Sequence, residues 1–154
     1  KKPDTIIHYA EQPSAPYSML SYDTASYTVQ NNIMGTLNLI HAINEVNPNI
    51  HLIKFGSMGE YGTPNIDIEE GWLEVNHKGR KEKFLYPRTP GSLYHTTKVY
   101  DTDMLWFYTK QWNLRVTDIM QGIVYGVSTP EIEKYQMPTN FYYDEMFGTV
   151  INRF

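Results

Sequence analysis

The stretch IHLIKFGSMGEYG, residues 50–62, decides the fold. Its first eight residues are an apolar run closing on Gly56 and Ser57, the form of a short β-strand. The segment after it, MGEYGTPN, carries two glycines and a proline and reads as a loop leaving the strand's carboxyl end. Upstream, DTIIHYA (residues 4–10) is a second apolar run, expected as a strand buried on both faces. The Pro- and Ser-rich EQPSAPYSMLSYD follows it as a loop. Val29, Ile33, Leu37, Ile40 and Ile43 then recur at spacings of three and four, which predicts an amphipathic helix over about 24–46. Pro48 disfavours helical geometry at Asn47 and so ends it.

Downstream, WLEVNHKGRKEKFLYP holds two short alternating runs around Asn76-His77-Lys78-Gly79 and reads as a surface hairpin. Ser92 can cap a helix running to about Trp112. LRVTDIMQGIVYG (114–126) supplies a third strand with a Gly-containing exit, and FYYDEMFGTVINRF reads as the start of a further helix. Strand, helix, strand, helix, strand predicts an α/β fold with a parallel sheet and right-handed crossovers. Ligands of such sheets bind beyond the carboxyl ends of the strands, so HYAEQ, FGSMGEYG and MQGIVYG are expected on one rim. No Gly-x-Gly-x-x-Gly precedes the first strand. The expectation is therefore the second half of a doubly wound domain over 1–126, with a hairpin insertion near 72–86. Residues 127–154 are expected to begin a substrate-binding region.

The formal net charge of -4 gives no electrostatic reason to expect nucleic acid. No apolar run reaches the length of a membrane span. Without cysteine these residues hold neither disulfides nor thiolate chemistry. The five histidines are scattered without metal-ligand spacing, so no metal is expected.

Tyr94 and Lys98 stand four apart in SLYHTTK and share a helix face. A phenol is a poor base near neutral pH, and a neighbouring ammonium is expected to lower its pKa. With a hydride acceptor beside the substrate, such a pair would oxidise an alcohol. Among 13 tyrosines the spacing alone arises by chance. Ser57, a hydroxyl at the end of the preceding strand, strengthens it.

Serine at a strand end followed by Tyr-x-x-x-Lys resembles the short-chain dehydrogenase/reductase family in its extended, sugar-nucleotide branch. EQPSAPYSM, NNIMGTLNLI, GSMGEYGTPNIDIEEG, SLYHTTKVYD, QGIVYGV and FGTVINRF carry that resemblance from end to end, and MGEYGTPNIDIEEG points to the sulfosugar-forming group within it. The resemblance implies a Rossmann-like NAD-binding fold. It implies an enzyme that joins UDP-glucose and sulfite into UDP-sulfoquinovose, with a tightly held NAD reduced and reoxidised in each cycle. By position, Tyr94 is the base at the glucose 4-hydroxyl, Lys98 holds the nicotinamide ribose, and Ser57, where threonine is usual, bonds the 4-oxygen. Met58 and Gly59 replace the Asp-Glu pair of sugar 4,6-dehydratases. That leaves Glu60 and His95 as candidates for the acid and base of C6 water loss.

Ala10, Glu11, Gln121 and Gly122 are expected near the cofactor. Gln12, Met58, Gln121, Tyr142 and Asn152 are expected near the UDP-sugar, with Arg153 beside an anion. Asn32 is expected to hold the active-site strands together, and Arg88 to be a solvated charge. A 4,6-dehydratase or 4-epimerase is the alternative reading, and an inactive assembly unit is a third. The 154-residue chain alone is expected neither to hold NAD tightly nor to turn over. The full protein is expected to be a homodimer in the cytoplasm, or in the plastid stroma of a plant or alga.

Overall fold

The computed structural model describes residues 2–69, 71–126, 128–137, 145–146 and 148–153, with the side chains of 152 and 153 left aside. Strand β1 (Thr5–His8) is followed by α1 (Tyr22–Val29) and α2 (Gly35–Val46). Strand β2 (His51–Phe55) leads to the antiparallel hairpin β3 (Trp72–His77) and β4 (Arg80–Leu85). Helix α3 (Leu93–Trp112), strand β5 (Arg115–Ile119), and the short helices α4 (Pro130–Tyr135) and α5 (Val150–Arg153) complete the order. Strands β1, β2 and β5 form a parallel sheet in the order β1-β2-β5.

The predicted helix over 24–46 is present but is not one α-helix. A π turn, Gln30–Met34, joins α1 to α2. Ser21 and Thr24 start the run with a reciprocal capping box. At Asn47 the backbone turns extended, φ −166°, immediately before Pro48. Ser92 caps α3 by accepting the His95 N–H at 3.1 Å.

The sheet register explains where the core stops. Ile6, Leu52 and Val116 are lateral partners on one face, and they meet Ile40, Ile43 and Leu105 from the helices and Leu114 from the link between α3 and β5. Two residues further along, the same face presents His8, Lys54 and Asp118 side by side. The apolar core thus gives way to a charged row one step before the carboxyl rim. Ile7, on the opposite face of β1, is 57% exposed among these residues. Helices cover only the Leu52 face among the described residues. Alternate residues of β1 are apolar on both sides, so the sequence pattern alone did not reveal the difference.

Leu52 is fully buried at the centre of this core. In the protein carrying this chain, Leu52→Ala should cost about 2–5 kcal/mol of unfolding free energy by denaturant titration. The exposed hairpin change Lys83→Ala should stay within about 0.5 kcal/mol.

Candidate active site

The β2 exit carries Ser57, and α3 brackets it on both sides. Upstream, the Lys98 ammonium donates to the Phe55 carbonyl at 2.5 Å. Downstream, the His95 ring lies so close over Gly59 that a Cβ there would stand 2.3 Å from Nε2. Ser57 itself caps a 3-10 turn, Met58–Tyr61, and its Oγ accepts the Gly59 N–H at 3.1 Å. The Ser57 hydroxyl proton therefore stays available for a ligand. The Met58 N–H donates to the Gln121 carbonyl at 2.9 Å, which ties the β2 exit to the β5 exit.

Asn32 fixes the third exit. It sits in the π turn, a feature that often marks functional positions. Its Oδ1 accepts the Gln12 N–H at 2.8 Å, and its Nδ2 donates to the Gln12 carbonyl and to Thr97 Oγ1. Thr97 in turn donates to the Tyr94 carbonyl at 2.7 Å, and the Tyr94 N–H donates to Ser18 Oγ. One buried carboxamide thus couples the segment after β1 to the turn of α3 that holds Tyr94.

Tyr94 and Lys98 share a face as expected, with Lys98 Nζ 5.6 Å from the phenol ring centroid. The expected pKa effect is reversed. Burial, followed by the charges of Glu11, Glu60 and Asp101, holds the Tyr94 phenol above its usual range. Lys98 does not win because its ammonium is 2.5 Å from Glu11, with both side chains almost wholly buried. Burial lowers the Lys98 pKa, and Glu11 opposes that shift.

His95 bonds Ser92 Oγ through Nδ1 at 2.8 Å and lies 5.0 Å, ring to ring, from Tyr94. Burial, then Lys98, lowers its pKa, so the imidazole is neutral at pH 7. Its Nε2 faces the Gly59 turn.

Glu60 is where the structure departs most from expectation. It is fully buried. Oε1 accepts the Ser57 N–H at 3.1 Å and lies 3.7 Å from Lys54 Nζ, while Oε2 lies 3.6 Å from Arg88 Nε. Burial raises its pKa, against Lys54. A carboxylate so enclosed caps the turn and pairs with Lys54 and Arg88. Arg88, expected as a solvated charge, is likewise buried between Glu60 and Asp103. Gln12, expected at a sugar, spends its carboxamide on Thr28, Ser14 and the Ser14 N–H, and is buried.

Ala10 and Gly122 are exposed on the rim, Gln121 is half-buried, and Met58 is 56% exposed with its sulfur beside Gly122. Tyr142 lies outside the described residues, as do the side chains of Asn152 and Arg153. No cluster of His, Cys, Asp and Glu is arranged to hold a metal ion among the described residues. No helix among them is long and apolar enough to cross a membrane.

The residue that sequence reasoning missed is Lys54. It is fully buried, donates to the Lys98 carbonyl and Thr102 Oγ1, each at 3.1 Å, and lies 3.6 Å from Asp118. Thr102 also donates to Asp118 at 2.6 Å. The signal was present: Lys54 follows Leu52 at strand spacing, as His8 follows Ile6 and Asp118 follows Val116. Replacing only Lys54, by Met, leaves two buried carboxylates facing each other. We expect a loss of about 3–5 kcal/mol by denaturant titration, with partial recovery in Lys54→Met/Glu60→Gln.

The profile of the NAD dependent epimerase/dehydratase family matches residues 1–144. The chain is 50% identical to the chloroplastic UDP-sulfoquinovose synthase of Spinacia oleracea and 53% identical to the UDP-sulfoquinovose synthase of Sulfolobus acidocaldarius, over 99% of its own length in each case. It spans 32% and 39% of those relatives. Among solved structures it is similar to a UDP-N-acetylglucosamine 4-epimerase from Methanobrevibacter ruminantium, with TM-score 0.65 and 23% identity over 83% of this chain and 36% of that one. A UDP-glucuronic acid 4-epimerase from Bacillus cereus gives TM-score 0.64 and 22% identity over 80% of this chain and 34% of that one. A parallel sheet with its exits on one rim fits these matches, and the chain belongs to the NAD dependent epimerase/dehydratase family.

Proposed function

We propose that the protein carrying this chain forms UDP-sulfoquinovose from UDP-glucose and sulfite, by NAD-dependent oxidation at C4, loss of water from C6, addition of sulfite and re-reduction. Identity of 50–53% to two synthases over 99% of this chain carries the reading. The rim that brings Ser57, Tyr94, Lys98 and His95 to one strand exit supports it. On this reading residues 1–126 are the second half of the NAD-binding unit, and 127–154 begin the substrate-binding region.

NAD fits the residues present. The Lys98 ammonium and the buried Glu11 Oε1, which has no hydrogen-bond partner among the described residues, match the hydroxyls of a ribose. Bound there, NAD supplies the acceptor for the C4 hydride. The chain's own residues do the rest. Tyr94 takes the proton of the 4-hydroxyl, and Ser57 donates its free hydroxyl proton to the 4-oxygen. Glu60, buried against Lys54 and Arg88, is assigned no part in the C5–C6 elimination on this reading. His95, neutral and anchored through Nδ1, has Nε2 left to carry a proton there. Met58, whose sulfur lies beside Gly122, is assigned to the sugar side on this reading.

The epimerase and dehydratase alternative has weaker support, since the solved epimerases quoted above are only 22–23% identical. The test is mass spectrometry of the full-length protein with UDP-glucose and sulfite. A UDP-linked sulfosugar formed only with sulfite is expected. A 4-keto-6-deoxy sugar or a C4 epimer formed without sulfite would overturn the reading. Tyr94→Phe should lower kcat by about 10²–10⁴-fold.

A further inference from the structure

Glu11 follows β1 closely and faces the rim. Its carboxylate meets Lys98 at 2.5 Å, and the two side chains are 4% and 5% exposed. That ammonium is one turn from Tyr94 and also bonds the Phe55 carbonyl, two residues before Ser57. Lys98 is the one ion-pair partner of Glu11 among the described residues. Breaking such an enclosed pair leaves the surviving charge without compensation.

We propose that Glu11 is a positioning residue of the oxidation step, acting on Tyr94 through Lys98; this rests on Tyr94 being the base, as set out above. The charged groups around the phenol come from every neighbouring element. Glu11 lies beyond β1, Glu60 in the turn after β2, and Asp101 on α3 itself. Lys54 from β2 and His8 from β1 act on Lys98 or Glu11, and the His95 ring lies beside Tyr94. Glu60 is occupied by Lys54 and Arg88. Burial pushes the Asp101 carboxyl up to about 7, which weakens its charge near neutral pH. Of the three carboxylates, Glu11 is the one that meets Lys98 directly.

Two consequences follow from Coulomb's law. The carboxylate keeps Lys98 charged and fixed between Phe55 and the phenol. It also keeps the phenol protonated, so a ligand hydroxyl donating to Glu11 eases the ionisation of Tyr94.

The full-length protein with Glu11→Gln tests this. Removing the anion alters the charges acting on Tyr94 directly and through Lys98, so the acidic limb of kcat/KM against pH should move by about one unit. Lys98 loses the group that holds it charged. Its labelling by an amine reagent at pH 7, read by mass spectrometry without added substrate, should accelerate about fivefold or more. A purely structural Glu11 would lower the melting temperature and leave both readouts unchanged, and that result overturns the proposal. Glu11→Asp, which keeps the charge but shortens its reach, should fall between the two. If the Gln variant does not fold, wild-type values in the Asp variant overturn the proposal. Tyr94→Phe separates the two ideas. Full turnover in that variant removes the underlying reading, whereas an inactive Tyr94→Phe with an unmoved Glu11→Gln limb removes only the role of Glu11.

Discussion

A single ammonium, that of Lys54, sits fully buried where β2, the turn after it, α3 and β5 meet. Burying an unpaired charge is prohibitively unfavourable, so its surroundings must supply partners. They supply the Lys98 carbonyl, the Thr102 hydroxyl and the carboxylates of Glu60 and Asp118. These partners come from three parts of the rim: the turn after β2, α3 and β5. Glu60 holds the Ser57 N–H, Lys98 holds the Phe55 carbonyl, and Asp118 lies on the strand leading to Gln121 and Gly122. The distance between the Ser57 turn and the Tyr94 turn is thus set from beneath by one side chain.

That arrangement assigns the carboxylates their work. Glu60 cannot serve as an acid or base at the sugar while it caps Ser57 and neutralises Lys54 and Arg88. On the proposed function, the proton work of C6 water loss is assigned to what remains on the surface of the turn. His95 is held there by Ser92 on one side and admitted by the missing side chain of Gly59 on the other. The Gly59 position therefore has a steric reason: any Cβ would occupy the space of the imidazole. Glu11 stays at the rim with Lys98 and sets the electrostatics of the phenol. The two glutamates share a chemistry and differ only in which cation encloses them.

Much of the fold was legible in residue spacing. Three short apolar runs separated by helical periodicity specify the parallel sheet, Pro48 stops α2 where expected, and the alternation around Asn76–Gly79 matches the β3–β4 hairpin. The π turn was not legible, because its apolar spacing is that of an ordinary helix and only the bonds of Asn32 require it. At the rim, Ser57, Tyr94, Lys98 and His95 could be found from residue type and spacing. The roles of Glu60, Gln12 and Arg88 could not, because burial and not chemistry decides them. The pKa of Tyr94 was misjudged for a related reason. A helix-face argument sees Lys98 four residues away, but not the Glu11 that arrives from another strand.

A crystal structure of the full-length protein with NAD and UDP-glucose tests the central claim most directly. The account predicts the glucose 4-hydroxyl within hydrogen-bonding distance of the Tyr94 and Ser57 hydroxyls, with Glu60 still enclosed by Lys54 and Arg88. A Glu60 carboxylate swung out onto the sugar, or a 4-hydroxyl remote from Tyr94, would contradict it.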